Sequence, residues 1–557
     1  MAKWKKIVCL ILTLLIILPV FSGCAAFGRG TVTLRIMNWA DYMDNSLLRQ
    51  FEDEYTYQGK RIKILYETVD KPETMAVKIE RGKEKWDLMC PSESVLERLM
   101  KQGLLNTIDT SPENMPNYNT YVSEYVKEQS NAVENSAKEA IKKSGDKAFD
   151  DFDYDADYSV AYMWGNFGIL YNVDAMANDM DLLDSWAALW NKDKFKGKMM
   201  MKDGPRETFS IGIIYVYREP LMKLYKIYEE KGTEEALKNY TDFLADAFKI
   251  SGETGKTYNI DGKTYEILRG EALIAKVEEA LVDQKINAGT AYEVDDGKET
   301  ILRDEGYVLD MAWNGDGVWA LAEKEAKNIK TNVGYTIPKE GSNFWVDSWV
   351  IPKYARNNKV AEMFIDFLCK PETAMKNMEF IGYTSAIGGQ DVLNWAVLYG
   401  ENYDSPFDAS DFFGDIPDFV LQDENGNDVY KNSVGNAAFT KLAYKMNGKL
   451  YYRETDEEVK NPGDFSEFLV DVDNVFINSI QYPSADELSR CGVMLGYSDY
   501  SDEILEMWTR VKGAAIPIYV IVGLSLVLVL AVTLGTLFYV KNRKHNKTIN
   551  ATVRKKH

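Results

Sequence analysis

The sequence predicts an α/β architecture. From residue 31 onward, segments of strand period alternate with segments of helix period, the switches fall at loops rich in Asn, Asp, Pro and Ser, and 46% of the residues are hydrophobic, enough to build real cores. Residues 31–37 (TVTLRIM) set Val32, Leu34 and Ile36 against Thr33 and Arg35, the period of a strand. Asn38-Trp39-Ala40-Asp41-Tyr42 reads as a loop, and Leu47, Leu48 and Phe51 then recur at helical spacing. Residues 61–67 (RIKILYE) predict a second strand, and Met75, Val77 and Ile79 among charges predict a helix. Residues 86–90 (WDLMC) predict a short buried strand, followed by Pro91-Ser92 and a helix through Leu104. Ligands of open α/β sheets sit beyond the carboxyl ends of the strands, which singles out the loops at 38–42 and 91–94. Residues 129–157 are charged and poor in large apolar groups, as suits a surface excursion. A second alternating block begins near Tyr158, and residues 386–475, rich in Asp, Asn and Gly, read as an insertion. No fixed-period repeat is visible.

A chain of 557 residues predicts two to four folding units. Its formal charge of −21 is unevenly placed. The tail after Val540 carries seven cations and no acid, and the first 24 residues carry Lys3, Lys5 and Lys6 and no acid. Without those ten cations, 55 lysines and arginines face 86 acids, so the body carries −31. Such a body repels nucleic acid and anionic lipid and attracts small cations, although acidity also serves plain solubility. Five cysteines with no CxxC pair write neither a zinc knuckle nor a thioredoxin-type site.

Both ends bear on the compartment. Lys3, Lys5 and Lys6 precede an apolar run from Ile7 to Val20, then Phe21-Ser22-Gly23-Cys24. This resembles a bacterial lipoprotein signal, with Cys24 as the lipidated first residue of the mature chain. Ile516 to Val540 is a run of 25 residues without a formal charge, long enough for a transmembrane helix. The basic tail 541–557 follows, and the positive-inside rule puts it in the cytoplasm and the main body on the extracytoplasmic face of the cell membrane.

The body holds no imidazole, because both histidines, His545 and His557, lie in the tail. Ser–His–Asp and Cys–His catalysis and His-ligated metals are therefore excluded from it. Gly252-Glu253-Thr254-Gly255-Lys256-Thr257 lacks the first glycine of a phosphate loop, Ile250 standing in its place, and reads as a turn. The sequence calls for no cofactor and no metal.

Instead, rings and tight turns keep company with carboxylates in four loops: Asn38–Tyr42, Lys202–Glu207, Trp313-Asn314-Gly315-Asp316 and Phe344-Trp345-Val346-Asp347-Ser348. A linear polyamine needs that pairing. Its ammonium groups want ionised carboxylates, and its methylene stem wants aromatic faces.

Segments across residues 31–386 resemble the spermidine/putrescine-binding branch of the bacterial extracellular solute-binding proteins of ABC importers. They include LRIMNWADYMDNSLLRQFE, WDLMCPSESVLERLMKQGLL, DYSVAYMWGNFGILYN, DSWAALWNKDKFKGKMMMKDGPRETF, AWNGDGVWAL, EGSNFWVDSWVIPKYARN and FLCKPETAMKNMEFIGYTSA. The resemblance implies a two-lobed periplasmic-binding-protein fold of type II, with a hinge and an interlobe cleft. It implies residues 30–160 with 316–355 as lobe 1, 161–315 as lobe 2, and 356–513 as C-terminal helices carrying the insertion. Signal (1–24), transmembrane helix (516–540) and tail (541–557) flank them. Carried over residue by residue, Trp39, Tyr42 and Ser92 line the first lobe, and Glu207 receives an ammonium from the second. Trp313 stacks on the stem, Asp316 pairs a second ammonium, and Trp345 and Asp347 match a further lining segment, with Asp41 and Asp203 as secondary candidates. Three positions depart from the pattern: Ala40 where a hydroxyl occurs, Ser94 where an aromatic occurs, and Gly204 where an acid precedes the Arg-Glu pair.

The implied partners are a polyamine, an ABC permease with its ATPase, and the membrane. The expected role is capture and delivery rather than catalysis. A membrane-tethered sensor or scaffold on the same fold is the alternative, motivated by the C-terminal hydrophobic segment.

Overall fold

A computed structural model describes residues 30–389 apart from 70–71, 83–84 and 253–254, residue 392, and residues 480–514 apart from 494–496 and 498–499. Six short strands are described between 392 and 480, and beyond 514 only residues 533, 534 and 536. The leader with Cys24, the tail 541–557 and all but those three positions of the 516–540 segment lie outside the described residues. Among the described residues no helix is long and apolar enough to cross a membrane.

The chain opens with β1 (Thr31–Trp39), α1 (Asn45–Glu54), β2 (Lys60–Val69), α2 (Pro72–Glu80), β3 (Leu88–Met89) and α3 (Glu93–Lys101), the alternation that the apolar periods predict. β1 lies between β2 and β3 and runs parallel to both, in register Leu34↔Ile64 and Ile36↔Leu88. α1 starts where the Asp44 carboxylate accepts the amide N–H of Ser46 at 2.8 Å, a side-chain cap on an otherwise unpaired donor.

The stretch expected as a surface excursion is largely α4 (Glu124–Ser144). Its buried stripe, Val126, Ser130, Val133, Ala137 and Ile141, has helical spacing but small side chains, so its apolar signal is weak in sequence. Ser123 caps it, and Gly145 ends it at φ 61°, a conformation glycine adopts without strain. Buried Glu134 accepts the Tyr158 N–H at 3.2 Å, fastening α4 to the strand that follows.

That strand, β4 (Val160–Asn172), is buried along all 13 residues. The fold then adds β5 (Met199–Lys202), α5 (Pro205–Val216), β6 (Ala291–Glu293), β7 (Leu309–Trp313), α6 (Asn314–Ala326), β8 (Val333–Thr336), β9 (Ser342–Trp349), α7 (Asn358–Leu368), α8 (Pro371–Ile381), β10 (Thr384–Ser385), β11 (Cys491–Val493) and α9 (Ser501–Gly513). The second sheet runs β11-β9-β4-β7-β5-β6, with β8 and β10 also paired to β4. The short strands of the insertion pair as 405–407 with 475–477, 420–422 with 428–431, and 443–446 with 449–452.

Two cores give the molecule two lobes. One gathers residues from Leu34 to Trp164 and from Phe344 to Val392, including Phe364 and Phe367 of α7. The other gathers residues from Phe167 to Met311 and closes with Met507, Trp508 and Val511 of α9. On the opposite face of the second sheet, Leu170, Met200, Ala312, Ala320 and Val333 form a smaller cluster, so α6 and β8 pack there. β4 crosses between the lobes: Val160 to Trp164 enter the first core, and Phe167, Ile169 and Tyr171 enter the second. β9 lies antiparallel beside it, from Phe344↔Asn166 to Trp349↔Val160. At the crossing a Cβ on Gly165 would stand 2.1 Å from Asn314 Oδ1 and 2.6 Å from the Trp345 ring, so only glycine lets the three segments meet.

Candidate functional site

Two helix starts bring charge to the interlobe seam. In the first lobe Ser92 precedes α3, and Glu93 is its first residue. In the second lobe Pro205 opens α5, with Arg206 and Glu207 following in its first turn. Acids are favoured at such positions because unpaired backbone N–H groups and the helix dipole point at them. Arg206 joins the lobes. One of its terminal nitrogens donates to Glu93 Oε1 at 3.1 Å, and its Nε donates to Glu207 Oε1 at 3.3 Å. A Cβ on Gly204 would stand 2.2 Å from Glu207 Oε2, so a side chain there would displace the Glu207 carboxylate from its present seat. That is a physical reason for glycine where an acid was expected.

Aromatic rings run from one lobe to the other. Trp313, at the end of β7, stacks on Phe167 with centroids 3.7 Å apart. It meets Trp345 of β9 edge-on at 5.6 Å, and Trp345 meets Tyr383 at 5.3 Å. Tyr383 meets Tyr42 at 5.6 Å. Along this row the buried Trp345 Nε1 has no hydrogen-bond partner, nor does the buried Nε1 of Trp39 at the end of β1.

Asp347 projects from β9 into the same seam, buried, and no lysine or arginine of the described residues pairs with it. Burial pushes its carboxyl well above the usual range, and Glu93 adds to the rise, while Tyr42 and Arg206 work the other way. Burial likewise raises the Glu93 carboxyl, with Arg206 as the main offset.

Tyr42, Ser92, Glu207, Trp313, Trp345 and Asp347 therefore border one seam, while Trp39, at the end of β1, packs against the first core. Ser92, with its hydroxyl 3.3 Å from that of Ser94, sits where the 91–94 loop meets β9 through the Ser348 N–H to Pro91 C=O bond. Asp316 is placed differently. It lies 2.9 Å from Lys202 Nζ and 3.0 Å from Lys298 Nζ and accepts the Trp313 N–H at 3.2 Å. Burial opposes its charge, but the two lysines outweigh burial and hold its carboxyl below the usual range. Asp203 faces away, accepting from Trp508 Nε1 at 2.9 Å and Lys512 Nζ at 2.7 Å on α9. Asp41 is exposed in a left-handed turn at φ 51°.

Sequence reasoning passed over Glu93, Arg206, Tyr383 and Tyr497. Tyr497 is buried, packs edge-on against Phe209 at 5.3 Å, leaves its hydroxyl unpaired, and lies within the field of Arg206, Glu207 and Glu93. The first three lie inside segments quoted for the family resemblance. Tyr497 follows the insertion, where no motif marks it.

The arrangement offers a row of rings and, in Asp347, a buried carboxyl without a lysine or arginine partner among the described residues, which also hold no group of acids, cysteines or histidines suited to a metal. The chain is 27% identical over 360 residues to the spermidine/putrescine-binding periplasmic protein of Salmonella typhimurium, covering 64% of this chain and 79% of the relative. It is 24% identical over 363 residues to a putrescine-binding periplasmic protein of Escherichia coli, covering 64% and 78%. Among solved structures, a spermidine/putrescine ABC transporter substrate-binding protein of Streptococcus pneumoniae matches at 19% identity and a TM-score of 0.47, over 87% of this chain and 99% of that one. The sequence profile of the bacterial extracellular solute-binding proteins matches residues 46–389, more than half of the chain. The chain belongs to that family.

Proposed function

We propose that this chain is the extracytoplasmic receptor that captures a linear polyamine between its lobes and delivers it to an ABC importer. One observation supports the reading above the others: Asp347, buried in the interlobe seam, has no lysine or arginine pairing with it among the described residues, while a row of five rings passes beside it. An ammonium supplies the missing cation, and the rings take the methylene stem. In this reading Glu207 and Asp347 receive ammonium groups, and Trp39, Tyr42, Ser92, Trp313 and Trp345 line the stem. Asp316, already paired with two lysines, supports Trp313 through its backbone. The relatives are named for polyamine binding, which favours binding over catalysis here as well. The lobes meet through the crossing strands β4 and β9, where bending opens and closes the cleft. Cys24 as a lipid anchor and residues 516–540 as a spanning helix with a cytoplasmic tail complete the proposal, holding the receptor at the importer.

Titration calorimetry of the full-length protein in detergent against putrescine, cadaverine, spermidine and spermine tests it. Saturable binding of at least one is expected. Silence across all four overturns the reading.

A further inference from the structure

Glu93 lies in the 91–94 loop but is none of the residues carried over as ligand contacts, and it sits where the lobes meet. It is 1% exposed. One oxygen holds the Arg206 guanidinium of the other lobe at 3.1 Å. The second oxygen is buried and has no hydrogen-bond partner. An ionised carboxylate with one bare oxygen is costly in the interior unless a further donor meets it. The nearby buried group is Asp347: the Ser348 N–H donates to the Pro91 carbonyl at 3.3 Å, which sets β9 against the loop that carries Glu93, and no lysine or arginine of the described residues pairs with Asp347. Two acids that disfavour one another's charge accept a shared cation readily. We propose that the free oxygen of Glu93 and the carboxyl of Asp347 together seat one ammonium group of the ligand, while Arg206 stays on the other oxygen of Glu93 as the tie between the lobes.

This rests on the polyamine reading and sharpens it to a length. Glu93, Glu207 and Asp347 put three carboxylates at the seam against the single guanidinium of Arg206, which leaves two ligand charges to balance. A diamine of putrescine type balances the seam, whereas a triamine brings a third ammonium without a buried acid to meet it. The plainer reading is that Glu93 only anchors Arg206, and the two readings differ in what removal of each partner does.

The experiment is calorimetry of the full-length protein in detergent with putrescine and spermidine, on wild type, E93Q, E93D, R206M and the E93Q/R206M double variant. Thermal unfolding of each variant checks that it is folded. Wild type is expected to bind putrescine more tightly than spermidine. E93Q is expected to lose putrescine affinity by about 30-fold or more, as an ammonium deprived of a buried acid does. E93D, which keeps the charge, recovers most of that loss. R206M frees the second carboxylate oxygen and shifts preference toward spermidine, and the double variant binds putrescine far more weakly than R206M. E93Q binding like wild type overturns the shared seat, and so do equal losses in E93Q and R206M that do not deepen in the double variant. Wild type silent to both amines overturns the polyamine reading itself, a distinct failure.

Discussion

Asp316 and Asp347 look alike in sequence, since each follows a tryptophan by two or three residues in a loop-like motif, and both are buried. Their surroundings differ in one respect. Asp316 carries Lys202 and Lys298 as internal counter-ions, whereas no lysine or arginine of the described residues pairs with Asp347. In the proposed reading the same residue type beside a tryptophan is a structural strut in one place and a cation receptor in the other. Solvent exposure does not separate them; the balance of charge does.

The largest expected effect attacks the receptor side of that contrast. Asp347→Asn should weaken polyamine binding by about 3–5 kcal/mol, the cost of stripping a buried charge of its partner, as read by calorimetry. The same substitution should stabilise the protein measured without polyamine. The folded-state carboxyl of Asp347 is held above its unfolded value, so its contribution to stability is full at low pH and is lost as pH rises through the folded range. Thermal unfolding between pH 5 and 8 should therefore show wild type falling relative to D347N as pH rises.

Asp316→Asn should behave in the opposite sense. It leaves Lys202 and Lys298 facing a neutral amide, and unfolding in denaturant should show a loss of about 3 kcal/mol, with polyamine affinity falling by less than D347N makes it fall. A D316N protein of wild-type stability that no longer binds polyamine would make the two acids equivalent and end the contrast.

The smallest effect comes from a third buried acid that is met by neutral donors. Glu340 accepts hydrogen bonds from the Ser185 hydroxyl and, at 3.3 Å, from the Trp186 N–H. Burial pushes its carboxyl up to about 7. Its contribution is full below the unfolded value and fades as pH rises toward 7, so Glu340→Gln should raise the unfolding midpoint at pH 8 by about 2 °C and leave it unchanged at pH 4. Polyamine should not alter that difference.

Much of the scaffold was legible from the residues. Alternation in 31–37 and 61–67 marks β1 and β2, and the loops after β1 and β3 do reach the seam. The tryptophans were legible as candidates because each ring and its acid are neighbours in sequence. What the sequence hid is spatial neutralisation. Lys202 lies 114 residues from Asp316, and Glu93 lies 113 from Arg206, and no local pattern announces pairs at that separation. α4 escaped notice because Ser130, Glu134 and Ala137 interrupt the large apolar residues of its buried stripe. Tyr497 escaped because it falls between YPSADEL and ILEMWTRVKG, the two short segments in which the resemblance resumes after the insertion, and in neither of them.

β4 gives Val160 to Trp164 to one core and Phe167, Ile169 and Tyr171 to the other, and Phe344 to Trp349 of β9 are paired to it along the crossing. Neither lobe owns its full complement of strands alone. Melting one half would strip backbone partners from the other, so thermal denaturation should proceed as one cooperative event despite two hydrophobic centres, and cutting the chain between the lobes should yield fragments that do not fold separately.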